Sequence, residues 1–344
     1  MRSLLALAMV LAALGFALYQ LRPEPPAPDR VDFTPAWTGA RLEERDGFSV
    51  LRLAGTPRER GRAHGEQLRG RIEAWYERVR PRAGDTEALY VQSLGPRAAA
   101  SLTPDLRAEI EGIAEGCGLS FEQIWYLNLR FELRGFHGGG VGFAGPAAVG
   151  SFHEVVRRFE PGDLGGPARE LVVFVRLDPQ PLVMVGLPGM AGGFIGVRGR
   201  RGATLRPVQE APTPVLTGLP WTLLLRRLLE ADAVDTLPAA ATLDASAPVV
   251  RADGTVGTLD LSPRAAIWHE TAGDFAMAHP EPLSERPDID VARLRQRVER
   301  ARRILTETPP ARQVSVRLKA GDAGVRITVE DRGVPVSQSI RYAD

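Results

Sequence analysis

The 344-residue chain is short of several residue types, and each shortage removes a class of chemistry. Cys117 is the only cysteine, so no disulfide can close within the chain and no thiolate cluster can hold a metal. Lys319 is the only lysine, which leaves one candidate for Schiff-base chemistry. Asn128 is the only asparagine, so a mechanism that needs an asparagine donor elsewhere has none. An excess of one charge is missing too: 43 Lys and Arg against 42 Asp and Glu leave a formal +1. Such a balance supplies no field to recruit nucleic acid, which is not an expected partner. The five histidines form no HExxH and no pair four apart on a helix, so no zinc site is expected. There is no GxSxG nucleophile elbow. Gly140 to Gly145 matches GxGxxG, but it follows a helical stretch and precedes a Pro-bearing turn, where a dinucleotide site needs strand, turn and helix. Neither a cofactor nor a metal is expected. With 44% hydrophobic and 25% charged residues, the chain is also neither collagen-like, disordered nor wholly membrane-embedded.

What is present begins with an uncharged stretch from Ser3 to Leu21, nineteen residues that just reach the roughly 20 needed to span a bilayer. It reads as an uncleaved signal anchor, or as a signal peptide removed at small residues around Ala13, Gly15 and Ala17. Either way the rest is exported, membrane-anchored in the periplasm or at the cell surface, or secreted. No cysteine stands immediately after the stretch, which excludes a lipoprotein anchor. A Pro-rich linker is expected over 22–47.

From Phe48 a strand leads into a helical region ending at 139. A Thr56-Pro57 start opens the first helix, with apolar residues returning at Leu68, Ile72, Trp75 and Val79. Two more helices are expected over Pro104–Gly116 and Ser120–Leu133. From 140 onward the pattern turns to short β-rich pieces, ELVVFVRL, PLVMVGLP and GFIGVRG, then a helical pair at 218–243. An Asp253-Gly254 hairpin, the strands AAIWHE and DFAMAH, a charged helix at 289–307 and a closing hairpin complete the chain. Runs of helices followed by runs of strands predict an α+β fold, with 48–139 and 140–344 forming one globular domain.

GTPRERGRAHGEQL, LRAEIEGIAEGCGLSFEQIWYLNLRFEL, the glycine run 138–140, LPGMAGGFIGVRGRRGATL, the Asp-Gly hairpin and AMAHP, in that order, resemble the acyl-coenzyme A:6-aminopenicillanic acid acyltransferase family over residues 48–344. That family belongs to the N-terminal nucleophile hydrolases. The resemblance implies a four-layer αββα sandwich behind the N-terminal apolar helix, a propeptide-like role for 48–139, and chemistry on small acyl- or amide-bearing ligands. It also implies cleavage before a cysteine that then attacks the acyl carbonyl. At that position stands Gly140, which has no nucleophilic atom. The family's Arg-Asn-x-Asp element resembles Arg157-Arg158-Phe159-Glu160, and its Asn-His turn resembles Ala278-His279, where alanine has no donor to offer an oxyanion. An asparagine expected near the Pro-Gly strand pair reads Arg198.

The joint loss of nucleophile and oxyanion donor predicts a pseudoenzyme with a binding or scaffolding role. Arg157, Arg158, Glu160 and His279 are candidates for a retained pocket, and an ion-paired strand edge is the structural alternative for the first three. The rival reading is an active amide hydrolase or acyltransferase with Ser151 as nucleophile, near His153. Cys117 is expected to pack rather than react.

Overall fold

A computed structural model describes residues 40–45, 48–82, 95–96, 98–134, 140–143, 153–159, 171–176, 181–207, 218–231, 245–251, 255–261, 266–270, 275–278, 314–321, 324–331 and 334–341. The expected N-terminal apolar helix, the second helix of the 218–243 pair and the charged helix at 289–307 lie outside these residues. Among the described residues no helix is long and apolar enough to cross a membrane.

Helix α1 (Pro57–Val79) starts where the sequence predicts it to. Thr56 caps it through a reciprocal box: the Thr56 hydroxyl accepts from the Glu59 N–H, and the Glu59 carboxylate accepts from the Thr56 N–H at 2.8 Å. Helix α2 (Pro104–Cys117) has the same Thr-Pro entry, at Thr103 and Pro104, and ends on Gly118 in the left-handed conformation at φ 79°. Ser120 and Gln123 form the reciprocal pair that opens α3 (Phe121–Arg134). Helix α4 (Trp221–Glu230) presents Leu223, Leu224, Leu225, Leu228 and Leu229, all buried.

Strands β1 (Ala40–Arg45), β2 (Phe48–Leu53), β5 (Val172–Arg176), β6 (Leu182–Gly186), β7 (Ile195–Arg198), β8 (Arg201–Thr204), β10 (Ala245–Val250), β11 (Val256–Leu261) and β12 (Ala266–Glu270) form one sheet in that order, with the short β9 (Arg206–Pro207) alongside β10. The expected linker over 22–47 is therefore shorter: Ala40–Arg45 pair with β2, and Ala40 and Leu42 pack against the core. Only alternate positions of β1 are apolar, and charged neighbours hide them in a linear reading. The second sheet runs β13 (Phe275–Ala278), β3 (Gly140–Phe143), β4 (His153–Phe159), β14 (Val314–Gly321), β15 (Gly324–Asp331) and β16 (Val334–Arg341).

Burial says what covers each sheet. Every residue of β5 and β6 is buried, so both faces of these strands are covered. On one face Phe174 meets His64 of α1, and α4 packs over β6, β7 and β8. On the other, β4 and β14 lie against β7 and β8, while β13 lies against β10 and β11. In β14 and β15 burial alternates, with Val316, Leu318, Ala320, Val325, Ile327 and Val329 inside and Arg317, Lys319, Arg326 and Thr328 half-exposed. The fold is α+β, with one apolar core running from the helices through the large sheet to the inner face of the second.

Candidate functional site

The second sheet brings together three positions that sequence reasoning set 138 residues apart. Gly140 pairs with Ala278 on one side and with Arg157 on the other, and Arg157 pairs with Val316. Residues directly opposite in an antiparallel pair share a face, so Ala278, Gly140, Arg157 and Val316 form one row. Val316 and Arg157 are both 0% exposed, which puts the row on the core side. The positions assigned by resemblance to nucleophile, arginine and oxyanion donor are thus adjacent.

Arg157 enters the core between the sheets. Its Nη1 donates to the Leu205 carbonyl at 2.9 Å, and its guanidinium lies 5.7 Å from the centroid of the Trp221 ring at the start of α4. Phe159, two residues along the same face, meets Phe194 edge-on at 5.4 Å, and Phe194 meets Trp221 at 5.8 Å. A charge held this way is desolvated but compensated by a carbonyl and a π face. Strand β4 runs between β3 and β14, so Arg157 does not sit at a strand edge.

Beside Arg157 the remaining positions on this face of β3 and β13 are Gly140, Gly142, Ala276 and Ala278. Cα atoms of β3 and β13 come within 8 Å of those of β10, closer than the ~10 Å usual between stacked sheets. At Gly202 of β8 a Cβ would stand 3.0 Å from Val155 of β4, so here too the sheets touch. Small residues stand where the two sheets come this close. The row offers no attacking atom at Gly140 and no side-chain donor at Ala278.

Ser151, Glu160 and His279 lie outside the described residues, and of Arg158 only the backbone register, opposite Ser315, is described. His153 is engaged elsewhere: its Nδ1 is 2.9 Å from the Arg200 carbonyl. Arg198 faces α4 on the far side of the large sheet, donating to the Glu230 carbonyl at 2.5 Å. Cys117 is 1% exposed, and burial pushes its thiol up from the ordinary value, as packing requires. No group of three His, Cys, Asp or Glu among the described residues is placed to hold a metal.

A second polar cluster escaped sequence reasoning. The turn Leu187-Pro188-Gly189-Met190 closes with Met190 N–H donating to the Leu187 carbonyl, and Gly189 adopts φ 83°, as a Pro-Gly turn of this type requires. The backbone groups of Gly189 and of Ala191 just beyond it are met by buried side chains from three helices. The Gly189 N–H donates to Nε2 of His64 at 3.1 Å, and the Gly189 carbonyl accepts from Asn128 Nδ2 at 3.0 Å. Asn128 Oδ1 accepts from the Ala191 N–H at 2.9 Å, and the Ala191 carbonyl accepts from Arg226 Nη1 at 2.7 Å. Arg226 then grips Glu109 with both Nη atoms at 2.8 Å, and Glu109 also faces Arg60 at 3.4 Å. Burial raises the Glu109 carboxyl, but Arg226, Arg60 and Arg176 together outweigh it and hold it below the ordinary carboxylate range. The only asparagine is therefore a structural pin, with its carbonyl oxygen and its amide nitrogen both bonded. Charged residues at helical spacing from buried apolar ones, Glu109 from Leu106 and Ile113 and Arg226 from Leu223 and Leu229, were the signal that could have found the cluster. No protein-family model matches the sequence, and no curated protein matches it.

Proposed function

We propose that this chain is an exported, non-catalytic relative of the acyl-coenzyme A:6-aminopenicillanic acid acyltransferase family, held at a membrane by residues 3–21 or secreted after their removal, and acting as a binding or scaffolding protein. The observation that carries this reading is the row Ala278–Gly140–Arg157: a resemblance drawn from scattered motifs matches these three positions to the family's oxyanion donor, nucleophile and arginine, and they stand side by side in cross-strand register. Their chemistry argues against turnover. Removing one oxyanion donor costs about 3 kcal/mol of transition-state stabilisation, and removing the nucleophile removes the covalent step.

The four-layer αββα arrangement belongs to the same proposal. Val156 lies on the outer face of β4 and is only 2% exposed, so something covers that face, and the charged helix predicted at 289–307 is the cover assigned to it in this proposal. A ligand of this protein is then a small acyl- or amide-bearing molecule that Arg157 and its aromatic neighbours could only admit by separating the sheets.

Intact mass and N-terminal sequencing of the purified full chain, under denaturing conditions, test the proposal. One species that begins at Met1 or after the apolar stretch is expected. A second N-terminus between residues 138 and 151 would overturn it and name the nucleophile.

A further inference from the structure

The helix-facing side of the large sheet carries a row of arginines unrelated to Arg157. Arg176 pairs with Leu182, Leu182 with Arg198, and Arg198 with Arg201, so the four share one face across β5 to β8. All three guanidinium groups reach the last turn of α4. Arg176 bonds the Glu230 carboxylate, Arg198 donates to the carbonyls of Leu229 and Glu230, and Arg201 donates to that of Ala231. Helix α4 ends in three arginine-bound carbonyls, which satisfies groups that a helix C-terminus leaves open.

That capping does not neutralise the charge. Among the described residues Arg60, Arg176 and Arg226 pair with two carboxylates, Glu109 and Glu230, with Glu230 shared between Arg176 and Arg226, while Arg198 bonds backbone carbonyls. Among the described residues the arginines here outnumber the carboxylates, and the helix C-terminus offsets about half of one positive charge. The Nε–H groups of Arg176 and Arg198, on either side of Leu182, are buried without a hydrogen-bond partner. Mutual repulsion is felt as well: burial and the neighbouring Arg226 lower the Arg176 guanidinium from its ordinary value. Arg198, Arg201 and Glu230 are half-exposed, so the locus is open to solvent at its rim.

We propose that this rim is a binding site for a phosphate dianion, free or as a phosphomonoester, held by Arg176 and Arg198 beside the C-terminal turn of α4. A dianion matches the charge excess, and the planar arginine forks suit phosphate oxygens better than a monovalent halide. Glu230 is the competitor that occupies Arg176 when phosphate is absent.

Calorimetric titration of the full chain with inorganic phosphate and with glycerol 3-phosphate, in chloride buffers of matched ionic strength, tests the proposal. Saturable binding is expected, and the tighter of the two ligands tells a free phosphate from an esterified one. Arg198→Gln is expected to weaken binding by about tenfold, the loss of one charge-assisted contact. Glu230→Gln removes the competitor and is expected to tighten it, whereas Arg58→Gln, on the exposed face of α1, leaves it unchanged. Absence of binding beyond matched chloride, or a Glu230→Gln protein that binds phosphate no better than the parent, would overturn the proposal even if Arg198→Gln fails to fold.

Discussion

His64 accepts a hydrogen bond from the Gly189 N–H while its ring lies tilted against Phe174 at 4.9 Å, and burial holds it at a pKa of about 4 against an ordinary 6.5. Only the neutral ring can accept that bond. Between pH 6.5 and 4 the unfolded chain takes up a proton that the folded one refuses, so stability falls as pH drops through that window, by about 3 kcal/mol in full. Glu109 and Glu230 have folded values below the ordinary 4.5, so the stability they contribute is lost only at lower pH. Urea midpoints across pH 4.5–7 should fall with acid in the parent and stay flat over the same range in His64→Gln. Arg226→Met leaves Glu109 buried with Arg60 at 3.4 Å and the more distant Arg176, a loss of about 3–5 kcal/mol, whereas Glu109→Leu with Arg226→Met should recover much of it. A double-mutant cycle by chemical denaturation measures the difference. These residues were not legible beforehand, because a histidine, an asparagine and an arginine in three separate helices share no spacing. Only the turn they serve joins them, and its Pro188-Gly189 pair was read as a strand connection.

At the scale of elements, the α1–α2 crossing is built on glycine. A Cβ on Gly61 would lie 2.0 Å from the Glu109 carbonyl oxygen, and one on Gly116 would lie 2.1 Å from that of Arg62, with Gly65 and Gly112 equally tight. Backbone therefore meets backbone, and no side chain can yield. Gly61→Ala or Gly116→Ala should lower the unfolding free energy by at least about 2 kcal/mol, since overpacking here must push the helices apart. Gly70, on the same helix with nothing within 4 Å, is the contrast: Gly70→Ala should raise it by roughly 0.5–1 kcal/mol through helix propensity alone. Thermal melts of the three variants suffice. The helices themselves were legible from Thr-Pro starts and apolar spacing, and α1 to α3 begin within a residue or so of the expected positions. The partner of each helix was not, because a four-residue glycine repeat in two segments does not say that the segments touch.

Across the whole molecule, strand pattern foretold class better than topology. ELVVFVRL and PLVMVGLP read as strands and are so, while β1 went unread because its two apolar residues sit among charges. The least legible feature is β2, which pairs parallel with β5 over Ser49–Leu53 and Val172–Arg176, across more than a hundred intervening residues. No local signal encodes such a pairing, since parallel partners need a long crossover. Its consequence concerns reassembly from pieces. Made alone, the segment from Gly140 onward would carry β5 as an open edge under a helix-side face that α1 no longer covers, a template for strand addition and aggregation. Co-expressed with residues 1–139, the same segment should regain β2 as a donated strand and appear in the soluble fraction as a complex of both fragments, held by hydrogen bonds and core packing where the backbone is cut.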